Sequence, residues 1–499
     1  MATIASLRSR RSIAQLQALA GVESEIDAQD SRGRCKYLRE FSEAFRSYEH
    51  VLIPQQVQDS VQTADIVLIG DYHALPAAQR YAGSLLEQRA LVGDRPVVLG
   101  VESIFARDQH ILDEWWRREI DEAELRRRIR FDTDWGYDWV PFYELLTAAR
   151  EHGEAIYGLD CMPRGDFRRA SLHDRHAAAR ISEIGRRHPN AVIMVLFGES
   201  HLAPGHLPYL LRQNCRDKKL LTILQNVDAL YWRAAGESCN QVQGVRISDD
   251  VICVFNATPL EKYEHYRLCL DRWCETEPDT PDFSPAVYNL VHSLTRFLNI
   301  NCYSPRNGTQ PRFLIDSLPE VSSPSEDGVV RKALGAGDEV VIEALIRRLE
   351  ERGSVYVARA NTLFVREFHV PFVAEEIARF LHHGCRGLPE KYQGEDTDRD
   401  PTDRLYAKVI EHALAGLAAQ ILCPVGTVPA QVATEGEAQP AGRDLGAALY
   451  DAYVQGKVSR TFLRRLFLVR LEEPGAARKA YLAACRKAGL PTSSRLTAH

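Results

Sequence analysis

The sequence lacks any long apolar run, and its apolar stretches fall short of the ~18–20 residues that a membrane-spanning helix needs. Its first 30 residues contain Arg8, Arg10 and Arg11 with no apolar segment after them, which is not typical of a secretory signal. We therefore expect a cytoplasmic protein with no transmembrane segment.

The sequence also lacks an excess of charge of either sign. Its 499 residues include 62 Lys and Arg against 68 Asp and Glu, which gives a formal net charge of −6. A general nucleic-acid-binding protein would show a basic stripe, so we expect no nucleic-acid partner. With 45% hydrophobic and 26% charged residues, the composition is that of a globular protein long enough for two or three domains.

Several motifs of well-known sites are missing. No two cysteines have Cys-x-x-Cys spacing, and the 11 cysteines are odd in number and scattered, a usage typical of reduced proteins. The sequence has no G-x-S-x-G elbow, no P-loop and no G-x-G-x-x-G after a strand. These absences exclude α/β-hydrolases, P-loop NTPases and Rossmann enzymes.

Short apolar runs alternate with longer helix-like segments from about residue 60 onward. The runs are rich in Val, Ile and Leu and do not alternate with polar residues, as expected of strands that are covered on both faces. This alternation predicts βα units and a largely parallel sheet. The predicted strands are 64–69, 96–101, 155–159, 191–197, 220–224 and 251–255.

We predict an α/β fold: a three-layer domain with a mainly parallel sheet, followed by a mostly α-helical C-terminal region. The predicted divisions are a helical N-terminal segment (1–55), the α/β domain (56–260), a helical extension (261–315) and a mostly helical C-terminal region of unknown function (338–499). The stretch 316–337 contains several Pro, Ser and Gly residues and is predicted to be a linker.

Ionisable residues follow four of the predicted strands. Glu102 and Asp160 follow the second and third, and the first and fourth end in one shared pattern of Gly, acid, any residue and His: Gly70–His73 and Gly198–His201. Ligands of open α/β sheets bind outside the carboxyl ends of the strands. We therefore expect the two histidines and these carboxylates to line one concave site.

The spacing within the Gly-acid-x-His pattern has a physical meaning. Residues i and i+2 project to the same side of an extended chain, so Asp71 can face one cleft with His73, and Glu199 with His201. Imidazoles and carboxylates on one rim can hold a divalent metal. They can equally act as general acids and bases, and either acid can instead be a helix N-cap.

These residues resemble the ChaN-like domain of the haem-binding-uptake/Tiki superfamily, which also includes the erythromycin esterases. The resemblance covers about residues 55–260. Asp71 stands where the family usually has Glu, and Asp160 where Asn is common. The positions that carry the resemblance, in chain order, are Gly70–His73, Glu102, Gln109, Trp135, Trp139, Asp160, Arg164 and Gly198–His201.

The resemblance implies a protein that binds haem or iron in the strand-end cleft. Tyr72, His73 and His201 are then the candidate haem ligands, and Arg164 is a candidate clamp for a propionate. The alternative is a metal-dependent or His-based hydrolase of peptide or ester bonds, with His73, His201 and Glu102 as catalytic residues. The cofactor is accordingly haem or a divalent metal, and the partner a small-molecule ligand or a peptide or ester substrate.

For a bare metal ion, the candidate ligands are the histidines and acids of the four strand ends. They are His73, His201, Asp71, Glu102, Glu199 and Asp160. His173 and His176 are three residues apart on a predicted helix and can share one face, but their highly charged segment favours a solvated surface or a wall of the cleft.

Because the cysteines are odd in number and follow no pattern, we expect nearly all of them to be free thiols in the native protein. Thiol titration under denaturing, non-reducing conditions should find close to 11 reactive thiols per chain. Several native disulfides would contradict the expected cytoplasmic location.

Overall fold

A computed structural model describes residues 4–29, 36–161, 170–236, 242–274, 281–300, 318–324, 327–335, 339–385, 400–424 and 438–491. These residues form an eight-stranded sheet flanked by helices, a three-stranded sheet and a helical bundle.

The strands of the described chain belong to two sheets. They are β1 His50–Leu52, β2 Ile66–Asp71, β3 Val97–Phe105, β4 Ala155–Asp160, β5 Val192–Gly198, β6 Leu220–Gln225, β7 Gly244–Ser248, β8 Val251–Val254, β9 Glu320–Ser322, β10 Ser354–Val357 and β11 Thr362–Val365. The six apolar runs predicted as strands are confirmed as β2 to β6 and β8.

Helices cover the sheet and make up most of the second half. In the first half they are α1 Ile4–Gln29, α2 Lys36–Ala44, α3 Pro54–Gln62, α4 Pro76–Val92, α5 Gln109–Trp116, α6 Glu122–Arg128, α7 Trp139–His152, α8 Ala170–Arg187, α9 Leu207–Asn214 and α10 Asp228–Ala235. In the second half they are α11 Pro259–Cys274, α12 Ser284–Leu298, α13 Asp327–Leu334, α14 Glu339–Arg352, α15 Val370–Gly384, α16 Pro401–Leu422, α17 Ala438–Val454, α18 Arg460–Phe467 and α19 Ala476–Ala488.

The large sheet has the strand order β1-β7-β8-β6-β2-β5-β3-β4. From β8 to β4 all neighbours pair in parallel, and only β7 pairs antiparallel with both of its neighbours. The chain runs from β2 out to β3 and β4, returns to β5, and then crosses to β6 on the other side of β2. This crossover places the carboxyl ends of β2, β5, β3 and β4 side by side, and it confirms the mainly parallel sheet.

The sheet is buried on both faces because successive residues of its strands point to opposite sides. In β2, Val67 and Ile69 pack into the core shared with α4 and α7, and Ile66 and Leu68 pack into a second core shared with α8 and α9. The three-layer α/β arrangement predicted from the apolar runs is confirmed.

Helix α1 packs against helices of the second half of the chain. Its buried residues Ala14, Ala18, Leu19 and Val22 belong to the core of the C-terminal helices, where α1 contacts α11, α12, α16 and α17. The segment 1–55, predicted to be helical, also contains a short strand at its end, since β1 forms there and pairs with β7. Three residues of strand are too short to be read from an apolar pattern.

The predicted linker at 316–337 is wrong in its described part. Strand β9 pairs in parallel with β11, and α13 buries Val330 and Leu334 in a small core with α14 and β10. These elements are short and are separated by turn-forming residues, which hid them in the sequence.

One described helix, Pro401–Leu422, is long and apolar enough to cross a membrane, but 67% of its apolar window is buried inside the protein. A buried core helix passes the same test, so this finding is weak evidence for a membrane span.

The cysteines whose side chains the structure describes are free thiols. They are Cys161, Cys215, Cys253, Cys269, Cys385, Cys423 and Cys485. The state of the remaining cysteines stays a prediction.

A polar network joins the α/β domain to the C-terminal region. Arg80 of α4 binds Glu144 at 2.8 Å and Glu367, which follows β11, at 2.7 Å. His369 lies 3.2 Å from Glu367 and 3.3 Å from Glu261 of α11. One imidazole therefore connects two carboxylates that belong to different parts of the chain.

We expect the stability of the protein to fall as the pH rises through about 9, because of His369. Burial lowers the pKa of His369, but Glu261 and Glu367 outweigh this effect and raise it to about 9. A raised histidine pKa contributes stability that is complete below about pH 6.5 and is lost as the pH rises through the folded-state value. The loss is on the order of 2–3 kcal/mol.

Urea unfolding at pH 6 and pH 9.5 measures this loss for the wild type, for His369→Gln and for His152→Gln, whose side chain is exposed. The wild type and His152→Gln should lose more stability than His369→Gln. Equal losses in all three proteins would contradict the assignment to His369.

Candidate functional site

Three imidazoles surround one buried carboxylate at the carboxyl ends of β2, β3, β4 and β5. Ring nitrogens of His173 and His201 and a carboxylate oxygen of Glu102 lie within 4.8 Å of one another. His73 is close as well, since a Cβ added at Gly198 would lie 3.3 Å from His73 Nε2 and 3.1 Å from Glu102 Oε2. A side chain at position 198 would crowd these groups and push them apart by a few tenths of an ångström, so glycine lets them lie this close.

Glu102 enters the site through an irregularity in β3. It was expected to follow the strand, but β3 extends to Phe105, and its pairing with β4 shifts between Val101 and Phe105. Such shifts re-aim a side chain that would otherwise continue the pleat. Glu102 Oε2 accepts the Gly198 N–H at 2.5 Å, and Oε1 lies 3.8 Å from His173 Nδ1.

Each of the three imidazoles has one ring nitrogen close to a buried aspartate. Carboxylates are placed in this way beside the histidines of metal sites. The pairs are His73 Nδ1 with Asp71 Oδ2 at 2.8 Å, His173 Nε2 with Asp160 Oδ1 at 3.1 Å, and His201 Nδ1 with Asp174 Oδ1 at 2.6 Å.

Two of the three aspartates are themselves fixed by further side-chain hydrogen bonds. Asp71 accepts from the side-chain amide of Gln79, and Asp174 accepts from the Tyr37 hydroxyl at 2.9 Å. Tyr37 lies on α2, so the N-terminal segment reaches the site. These bonds determine the orientation of the two carboxylates and, through them, of His73 and His201.

Aromatic rings pack against the imidazoles. The centroid of Trp135 lies 4.4 Å from that of His73, and Tyr137 follows at 5.3 Å. Trp135 ends a single turn of π-helix, Phe131–Trp135, a rare conformation that is frequent at functional sites. Phe197 lies 5.1 Å from His173 and 5.3 Å from His201.

The ionisable groups of the site shift one another's pKa values. Burial raises the pKa of Glu102, but His73, His173, His201 and the Gly198 N–H outweigh it and bring the pKa to about 2. Burial lowers the pKa of His173, but Asp160 and Glu102 outweigh it and raise the pKa above its ordinary value. The site therefore keeps an ionised carboxylate among groups that favour positive charge.

Glu199 and Tyr72 contact Lys262 and do not join the imidazoles around Glu102. Glu199–Leu202 forms a 3₁₀ turn and not an extended chain, so Glu199 and His201 do not share a side as the i, i+2 spacing predicted. Glu199 binds Lys262 at 2.9 Å, whereas His201 binds Asp174. The Tyr72 ring packs against the same Lys262, whose Nζ lies 4.4 Å from its centroid.

Two further positions of the resemblance, Gln109 and Trp139, make contacts away from the imidazoles. Gln109 bonds the backbone of β4, accepting from the Gly158 N–H at 3.0 Å and donating to the Ile156 carbonyl at 2.8 Å. The Trp139 indole donates to Glu122 at 2.7 Å. Arg164 lies outside the described residues.

Sequence reasoning missed Asp174 and underrated His173. The charged segment that begins α8 was expected to be a solvated surface or a wall of the cleft. It is not a solvated surface, since only 16% of the His173 side chain and 3% of the Asp174 side chain are exposed. A signal was available: α8 follows β4, and the first turn of a helix that follows a strand begins near the same sheet edge as the strand's end.

Comparison with known proteins agrees with the predicted resemblance. The sequence model of a family described as "Haem-binding uptake, Tiki superfamily, ChaN" matches residues 57–171. This range contains Asp71, His73, Glu102 and Asp160 but ends before His173. The resemblance is confirmed over this part of the chain.

A solved structure described as "Cofacial heme binding to ChaN of Campylobacter jejuni" is 16% identical to the chain. The similarity covers 35% of this chain and 86% of that one, with a TM-score of 0.28. No curated protein matches the chain.

We expect Glu102→Gln to lower the pKa of His173, because the substitution removes a negative charge that favours the imidazolium. The measurement is a pH titration of the histidine ring signals by NMR. The control Glu154→Gln removes a carboxylate 2.9 Å from another histidine, His188, and should leave His173 unchanged. An unaltered His173 titration in Glu102→Gln would contradict the described electrostatics.

Proposed function

We propose that this protein binds iron, as haem or as an iron ion, among the imidazoles at the carboxyl ends of the parallel strands. The observation that carries the proposal is the convergence of three aspartate-backed imidazoles on the buried carboxylate of Glu102. No other described group of side chains combines imidazoles and a carboxylate at metal-ligand spacing.

The donor set fits iron. Two imidazoles and one carboxylate, here His173, His201 and Glu102, are the ligand types of non-haem ferrous sites. Glu102, with a pKa of about 2, is ionised throughout the physiological range. A buried carboxylate surrounded by imidazoles is a donor set that suits a multivalent cation.

The family description favours haem as one form of the iron. Histidine is a common proximal ligand of haem. His73 has the most exposed side chain of the three imidazoles, at 23%, and it is bordered by Trp135 and Tyr137. His73 is therefore the candidate haem ligand. Bound iron in either form would supply a Lewis-acidic, redox-active centre.

An absorbance spectrum combined with elemental analysis of the purified protein tests the proposal. A Soret band supports haem, and stoichiometric iron without one supports the ion. Stoichiometric zinc or manganese without a Soret band would overturn the proposal in favour of a metal-dependent hydrolase. A protein that takes up neither haemin nor ferrous iron on reconstitution would overturn it as well.

We expect His201→Ala to lower the affinity for ferrous iron at least about tenfold, since it removes one ligand of the group. The protein should stay folded, at a cost of about 1–3 kcal/mol, because Asp174 keeps its bond to Tyr37. The measurements are iron binding by calorimetry and thermal unfolding of the same samples.

The matched control is His383→Ala, which removes an imidazole from α15, outside the cleft. It should leave iron binding intact. If His201→Ala binds iron like the wild type, His201 is no ligand. If it unfolds the domain, the role of His201 is structural.

A further inference from the structure

The helical extension contributes to the candidate site through one buried lysine. We propose that Lys262 of α11 is a positioning residue that holds both Gly-acid-x-His motifs in place, so that the α/β domain and the extension build the site jointly. The proposal rests on the proposed function for the identity of the ligand. The contacts that carry it are independent of that identity.

Lys262 contacts the third residue of one motif and the second residue of the other. Its side chain is 5% exposed, and Nζ lies 2.9 Å from Glu199 Oε1 and 3.8 Å from Asp228 Oδ1. The same ammonium lies 4.4 Å from the centroid of the Tyr72 ring, within the range of a cation–π contact. A single charged group thus ties the Gly70–His73 turn to the turn that contains Glu199.

These contacts lie next to the imidazoles in the chain. Tyr72 directly precedes His73, and Glu199 is two residues before His201. A buried charge is costly to move away from its partners, so the ion pair restrains the chain at Glu199 and the cation–π contact restrains it at Tyr72. Ligand sites need their side chains held within about 0.5 Å of the binding geometry, and this clamp supplies such a restraint.

Helix α11 also supports the far side of His73. The Trp273 indole donates to the Gly136 carbonyl at 2.8 Å, and its ring lies 5.3 Å from that of Tyr137. Tyr137 in turn packs against His73. At the other end, Tyr266 lies 6.1 Å from Tyr72. The helix therefore contacts the chain on both sides of this imidazole.

If the Lys262–Glu199 ion pair served stability alone, uncharged side chains of similar volume could replace it, since such replacements of buried ion pairs often cause no loss of stability. If the pair positions the imidazoles, the same replacement should weaken ligand binding. Once both charges are removed, the fold should persist while the geometry of the imidazoles relaxes. This difference separates the two roles.

The experiment compares the full-length wild type with the double variant Lys262→Met/Glu199→Gln, using ferrous iron and haemin separately as probes. We expect the double variant to unfold near the wild-type temperature and to bind the probe that the wild type takes about 10- to 100-fold more weakly. The control Lys408→Met removes an exposed lysine of α16 and should bind like the wild type. A folded double variant with wild-type affinity would overturn the proposal.

If the double variant does not fold, the single variant Glu199→Gln tests the positioning role instead. It keeps the shape of the pair and leaves Lys262 its contacts with Asp228 and Tyr72. Weaker binding by this folded variant supports positioning, and unchanged binding overturns it.

A wild type that binds neither probe would refute the proposed function without deciding the role of Lys262. The NMR signals of His73 and His201, assigned with their alanine variants, then provide the readout. Shifted signals in the folded variant support positioning. Unshifted signals overturn it.

Discussion

Holding the carboxylate of Glu102 out of water is the constraint on which the strand-end cleft depends. A buried carboxylate without partners would take up a proton. Here the Gly198 N–H and three imidazoles keep it ionised. Each of these partners depends on a further feature of the fold. Glycine at position 198 leaves room for Glu102 and His73, β3 departs from its regular pairing, and other side chains orient the imidazoles.

Those further groups come from different parts of the fold. Asp71 ends β2, Asp160 ends β4, and Asp174 lies near the start of α8. They meet because the chain passes from β2 out to β4 and returns to β5, which brings separate strand ends to one edge. The topology of the sheet is thus part of the site, and no single segment of the chain contains it.

A feature could be predicted from the sequence when the residues that form it are close together in the chain. The strands could be read from their apolar runs, and the Asp71–His73 pair from its spacing, because both depend on neighbouring residues in an extended chain. The same spacing failed at Glu199, where the chain enters a 3₁₀ turn. Lys262 carried no local signal, since its contacts with Glu199 and Tyr72 exist only once α11 packs against the sheet.

The packing of α1 has a consequence for the order in which the molecule is completed. This helix precedes its main packing partners, α11 and α12, by more than 200 residues of chain, and α16 and α17 follow later still. Until α11 and α12 have been synthesised, its apolar residues, Ala18, Leu19 and Val22 among them, lack most of the native surface that covers them. The nascent chain therefore carries an exposed apolar helix while the α/β domain is being made, the kind of surface that chaperones shield.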